Sequence, residues 1–233
     1  MEAVTIKAIV RELRPLCVPG RVQAVLQSSP RDVVVQVRSG RNLSVVLSAH
    51  PQRSSLHLAA VKPVALAAPT AFCRLLRKHL VGLVLTDLDS PALERSVVFH
   101  FGRVAGGKTA CTLVAELMGR WSNLVLVDDA TGCIVDCLHH DIPWGEGGRA
   151  MAPGEAYRPP PDGGRVPLDT VDSETFVGHY RRWKAGEISL FAPFVGLSPG
   201  LLALAAEGAT AESAEGGAAL LSALRSVLDR VRE

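Results

Sequence analysis

Gly102-Arg-Val-Ala-Gly-Gly-Lys108-Thr109 admits two readings, and each brings a different fold. The stretch matches the phosphate-loop pattern G-x-x-x-x-G-K-[ST]. In that pattern backbone N–H groups cradle phosphates, the lysine reaches the terminal phosphate and the hydroxyl sits on Mg²⁺. Leu124-Val-Leu-Val-Asp128-Asp129 would then be the acidic strand. A phosphate loop must follow a parallel strand and open a helix. Val97–Phe101 reads as a strand, but the Thr, Cys and Val content after Lys108 suits a strand as well as a helix. The acidic run begins only 15 residues after Thr109, with no alternating βα pattern around it. The other reading is a hairpin loop between antiparallel strands, with Gly106-Gly107 supplying the φ > 0 positions. We take the hairpin, and keep nucleotide binding at Gly102–Thr109 as an alternative.

Outward from this hairpin the chain keeps a β rhythm. Strand-like runs fall at Arg21–Gln27, Asp32–Val37, Leu43–Leu47 and Ser54–Leu58, then at Leu83–Leu88, Ser96–Phe101, Thr109–Leu117, Leu124–Val127 and Ile134–Leu138. Their turn spacing is that of a mainly antiparallel domain. Residues 2–15 have helical periodicity, with Pro15 as the expected stop, and residues 70–80 form a second helix carrying Arg74, Arg77, Lys78 and His79. Residues 143–167 hold six Pro and six Gly and read as a surface loop or linker. From Thr170 the texture is helical: Phe176, Tyr180 and Trp183 fall at i, i+4 and i+7, and the tail is rich in Ala and Glu. The fold class is α+β, with a β-rich domain over 1–170 and a helical one over 171–233.

Composition narrows the function classes. With 48% hydrophobic and 21% charged residues in 233, the chain can bury a core. A net charge of +2 excludes a strongly basic nucleic-acid-coating protein, though not a local basic patch. No apolar run approaches the roughly 18 residues of a membrane span. Met1-Glu2-Ala3 lacks the basic start of a secretory signal, and the five irregularly spaced Cys suggest no disulfide framework, so the expected compartment is the cytoplasm.

Few residues carry chemistry by themselves. Cys133-x-x-x-Cys137 with His139-His140 and Asp141 has the makings of a metal cluster. Structural zinc wants a second ligand pair, which is missing, so the cysteines read as strand residues. Glu94-Arg95 reads as a solvated pair at the mouth of a strand. Glu116 lies inside an apolar run and needs a partner or an edge. Met118 and Trp121 read most simply as core, while Arg120 and Asn123 beside an aromatic ring are also a means of stacking on and hydrogen-bonding RNA.

Several segments in order resemble one family. They are Val10-Arg-Glu-Leu13, Ser48-Ala-His-Pro51, Phe72–Leu80, Glu116-Leu-Met-Gly-Arg-Trp-Ser-Asn123 with Leu126-Val-Asp128, Pro153-Gly-Glu-Ala-Tyr157, and Gly196-Leu-Ser-Pro199. Together they resemble the NFACT family, whose N-terminal domain is also called the fibronectin-binding protein A N-terminal domain. The resemblance implies a β-sandwich-like domain similar to that of formamidopyrimidine-DNA glycosylases. A helix-hairpin-helix-like domain follows, and this chain would hold only its start. The coiled coil and C-terminal RNA-binding domain of longer members would lie outside it. It implies no enzyme, because glycosylases attack through an N-terminal proline and this chain begins Met1-Glu2-Ala3.

The implied role is that of an RNA-binding module in ribosome-associated quality control. It binds tRNA and the large ribosomal subunit at stalled nascent chains and supports alanine tailing, while the peptidyl-transfer chemistry is the ribosome's. No cofactor and no metal are implied. Carried over by motif, the RNA-binding residues are Glu2, Glu94, Arg95, Glu116, Leu117, Met118 and Arg120, with Glu2 and Glu94 standing where the family has Asp. The family's older name supplies a further alternative, a surface adhesin for fibronectin.

Overall fold

The computed structural model describes the chain except residues 92, 143–148, 162, 208–215 and 233, and the side chain of 232. It divides into two compact units. The first holds Met1, Ile9–Pro91 and Arg95–Pro160; the second holds Glu2–Ala8, Ala92–Glu94 and Pro161–Glu233.

The first unit is built on one nine-stranded sheet in the order β4-β3-β2-β1-β5-β6-β7-β8-β9. Its strands are β1 (Gly20–Ser29), β2 (Asp32–Ser39), β3 (Arg41–Ser48), β4 (Ser55–Leu58), β5 (Val84–Asp89), β6 (Ser96–Gly102), β7 (Thr109–Glu116), β8 (Asn123–Asp128) and β9 (Cys133–Cys137). Every pairing in it is antiparallel. The valine-rich runs form these strands because β-branched side chains fit a pleated, half-buried surface. Gly20↔Leu85 and Arg21↔Val84 join β1 to β5, and Val22 extends the pairing, its N–H donating to Leu83 O at 2.8 Å and its carbonyl receiving the Gly82 N–H at 3.0 Å, so a short seam links two halves. Helix α2 (Ala71–Leu80) lies against β1 and β9 and buries Phe72, Cys73, Leu76 and Leu80. Thr70 caps it, accepting from the Cys73 N–H at 3.3 Å.

The stretch that decided the fold is a hairpin. Gly102 pairs with Thr109, and β6 and β7 run antiparallel from there. Gly106 sits at φ +70°, where a side chain would be strained, and the Gly107 N–H closes the turn on Val104 O at 3.2 Å. Thr109 opens a strand and not a helix, so the phosphate-loop alternative loses the element it requires.

Two expectations about elements are corrected. Helix α1 (Ala3–Cys17) runs through Pro15, because buried Leu13 and Cys17 hold its last turn and the Val18 N–H still finds Arg14 O at 2.9 Å. Residues 149–157 form a surface loop, as expected, but one bound to the sheet and not a linker. Their backbone bonds β9: Ile134 N–H donates to Glu155 O at 2.7 Å, Gly154 to Ile134 O at 2.8 Å and Tyr157 to Gly132 O at 2.9 Å. Met151 packs with Val114, Val125, Val127, Ile134 and Cys137 on the face beneath. This strap covers a sheet edge that would otherwise expose unpaired groups.

The second unit gathers α3 (Ser173–Lys184), α4 (Pro199–Glu207), α5 (Gly217–Arg232) and a parallel pair, β10 (Val166–Pro167) with β11 (Phe194–Val195). Phe176, Tyr180, Leu190, Leu201, Leu221, Leu224 and Leu228 share one core, which also takes in Val4 and Leu93. Asp172 caps α3, accepting from the Thr175 N–H at 2.7 Å.

Candidate functional site

At one end of the sheet Ser96, Glu116 and Asn123 stand in register on adjacent strands. The ladder continues one residue further, with the Leu117 N–H donating to Arg95 O at 2.7 Å. This fixes Arg95 beside Leu117 and leaves its side chain at the surface. Leu117 itself is buried. Gly119 then turns the chain at φ +63° into a 3-10 turn, Gly119–Trp121. A Cβ at Gly119 would also lie 3.3 Å from Pro51 O, so only glycine lets this turn approach the His50-Pro51 loop.

The turn presents Met118, Arg120 and Trp121. Met118 and Trp121 are half-buried and not core, and the Arg120 guanidinium lies 4.6 Å above the Trp121 ring centroid. Next to the loop a depression of about 300 Å³ is lined by Asp32, Ser48, His50, Arg53, Ser55 and His57. This end therefore displays cations, the Trp121 ring face and hydroxyls, with the Asp32 carboxylate in the depression beside them. That set suits phosphate contact and stacking.

Glu116 does something else. It is 0% exposed, and its carboxylate receives Arg149 through two bonds, at 2.6 and 3.0 Å. Tyr157 donates to the same carboxylate at 3.0 Å. Burial, then the Glu116 charge, pushes the Tyr157 phenol far above its ordinary value, so it stays a donor. Arg149 and Tyr157 thus tie the strap to the end of β7. Arg149 lay in the segment without periodicity. The signal that could have found it was the lone acid in an apolar strand, which demands a cation.

Glu2 and Glu94 fall in the second unit. The Glu2 carboxylate accepts from Ser198 Oγ at 2.9 Å and from the Gly200 N–H at 3.2 Å, at the start of α4. Ser198 Oγ in turn accepts from the Leu201 N–H at 3.2 Å. An anion against a helix N-terminus is favourable there. A Cβ on Gly200 would run into the Glu2 carboxylate, and one on Gly196, at φ +86°, would come within 2.5 Å of Leu93. The Gly196-Leu-Ser-Pro199 motif is thus the local geometry of helix entry. Glu94 is half-buried.

Cys137, His140 and Asp136 stand in the order of a nucleophile, base and orienter. Cys137 Sγ is 3.5 Å from His140 Nδ1, and His140 Nε2 is 3.1 Å from Asp136. The thiol is 1% exposed, however, and faces the carbonyls of His139 and Met151 at 3.2 and 3.3 Å. Burial pushes it up to about 11, so it is a neutral packed thiol and not a nucleophile. Among the described residues no group of three or more His, Cys, Asp or Glu is placed to hold a metal ion. Nor is any described helix long and apolar enough to cross a membrane.

The nine-stranded antiparallel sheet with its strap and the helical second unit make this an α+β chain. The sequence matches the NFACT N-terminal and middle domains over residues 2–232, and the chain belongs to that family. It is 32% identical over 194 residues to the Rqc2 homolog RqcH of Bacillus subtilis (strain 168), covering 81% of this chain and 34% of that protein. It is 28% identical over 166 residues to the Rqc2 homolog RqcH of Streptococcus suis (strain 05ZYH33), covering 70% and 30%. The chain thus spans about a third of the length of these relatives.

Among solved structures it is similar to the fibrinogen binding protein from Staphylococcus aureus, with a TM-score of 0.78 and 24% identity over 100% of this chain and 82% of that one. The N-terminal part of the fibronectin/fibrinogen-binding protein from Streptococcus suis gives the same TM-score and identity, covering 98% and 84%. These likenesses show the fold, and it is the α+β arrangement expected from the sequence.

Proposed function

We propose that this chain is the RNA-binding module of a cytoplasmic ribosome-associated quality-control factor. It contacts tRNA and the large ribosomal subunit at stalled nascent chains and so supports alanine tailing. It carries out no bond chemistry of its own. The observation that carries the reading is the match to NFACT over residues 2–232, with relatives named as Rqc2 homologs. The end of the sheet that holds Arg95, Arg120 and Trp121 supports it, because a guanidinium fork suits phosphate and base edges. Glu2 and Glu94 enter this reading through the resemblance, and Glu116 and Leu117 by holding the turn in place.

Binding of tRNA and co-sedimentation with large subunits test the reading, using the wild type and a Glu94→Ala/Arg95→Ala variant at two salt concentrations. Salt-sensitive binding weakened in the variant is expected. Absence of both binding and co-sedimentation would remove the proposal. The names of the structural neighbours favour a second reading, binding of fibronectin or fibrinogen. Saturable capture of purified protein on immobilised fibronectin, unaffected by added tRNA, would turn the assignment that way.

A further inference from the structure

The outer face of β1–β3 carries chemistry that the candidate site does not use. Along β2, Val35 and Val37 point inward, so Gln36 and Arg38 point out. Register sets Gln36 opposite Ser44 and Arg38 opposite Asn42. Gln23 of β1 and Arg41 at the β2–β3 turn extend the row, and the chain after β4 forms a rim with Lys62. Together they line a concavity of about 730 Å³. Its lining holds three cations, Arg38, Arg41 and Lys62, and no Asp or Glu among the described residues.

The trough has amide and hydroxyl groups beside its cations, and those present are loosely engaged. Gln36 Nε2 reaches Ser44 Oγ at 3.4 Å, and Arg38 Nη1 reaches Asn42 Oδ1 at 3.4 Å. Both distances exceed those of good hydrogen bonds, so these groups can turn to a ligand. Among the described residues no aromatic side chain lines the trough, so it offers no aromatic platform for stacked bases. Cations for phosphate oxygens and neutral donors and acceptors for sugar hydroxyls remain.

The trough also lies away from the candidate site. Arg38 is close in register to Arg21, which pairs with Val84, and Val84 pairs with Gly102 at the opposite end of β6 from Ser96.

We propose that this trough is a second RNA-contacting surface, binding the sugar–phosphate backbone of a single strand without regard to sequence. The inference rests on the RNA-binding reading above but names a place that reading leaves unassigned.

The test uses a labelled ten-nucleotide oligouridylate as the probe, titrated at several salt concentrations. It compares the wild type, Arg38→Ala/Arg41→Ala/Lys62→Ala and Gln36→Glu, each checked for an unchanged melting temperature. The expected result is a log–log salt slope shallower by about 2 in the triple variant, at roughly 0.7 per cation for single strands. Gln36→Glu, which places an acid in the trough, should weaken binding several-fold. Wild type and triple variant binding alike, or no binding by the wild type, would overturn the inference. So would equal competition by polyglutamate, which would make the trough a general polyanion surface. Large-subunit co-sedimentation of the same proteins separates the two proposals. Its absence together with absence of tRNA binding, with the oligouridylate result as expected, removes the ribosomal reading and leaves the trough.

Discussion

Glu116 lies with no exposure in an otherwise apolar strand, and its charge is held there by Arg149 and Tyr157. Such a pair contributes little net stability against an apolar replacement, but breaking it is costly. Arg149→Met should therefore destabilise the protein by about 3–5 kcal/mol, since the Glu116 charge is left buried and unpaired. Adding Glu116→Gln to that variant should recover a large part of the loss. Chemical denaturation of the single and double variants measures both. Trp121 is the contrasting case. It read as core, yet it is half-buried with Arg120 over its face. Trp121→Ala should cost about 1 kcal/mol, the size of a surface cation–π contact, and not the 3–5 kcal/mol of an emptied core site. A melting curve beside a tRNA titration checks this, with RNA affinity falling more than stability.

Elements were legible in the sequence where side chains alternate or recur. Asp32–Val37 and Leu43–Leu47 gave their strands through valine and leucine runs, and residues 70–80 gave α2 through Phe72, Leu76 and Leu80. Pro15 misled because a proline near the end of a helix removes one bond without ending it when residues such as Leu13 and Cys17 anchor the last turn in the core. Residues 149–157 were illegible because their order comes from backbone bonds to β9 and from the Arg149–Glu116 pair, neither of which has a period. The candidate turn was half legible. Its residues stood together in Glu116–Asn123, but the neighbour that shapes it, Pro51, is far away in sequence. The same kind of close approach governs α4. Gly200→Ala places a methyl against the Glu2 carboxylate at the entry of this helix, and the carboxylate must swing aside from its bonds with Ser198 and Gly200. We expect this variant to melt several degrees lower. Hydrogen exchange should rise in α4 and leave β6–β8 unchanged.

On the scale of the whole molecule, titrating groups of the first unit set a pH window for stability. His139 is half-buried beside Arg31, whose guanidinium lies 3.4 Å from its ring, and beside His140. Burial, then the Arg31 and His140 charges, holds it below its ordinary value of 6.5. A histidine lowered in the folded state takes up its proton first in the unfolded chain. Its contribution is complete above about pH 6.5 and is lost as pH falls through the folded value. On the alkaline side burial raises Cys17 and Cys137 from 9.0 to about 11 and Cys111 to about 12. A thiol raised in the folded state holds its proton while the unfolded chain gives it up. That contribution is complete below pH 9 and fades as pH climbs toward 11–12. Melting temperature against pH should therefore show a plateau between these limits. His139→Gln should flatten the acid limb and leave the alkaline one. In the native protein at pH 8, alkylation should spare these three buried thiols and mark Cys133, which is only half-buried, before any of them. Mass spectrometry after brief iodoacetamide treatment reads the order. Modification of Cys137 ahead of Cys133 would mean that the strap over β9 opens more readily than its backbone bonds imply.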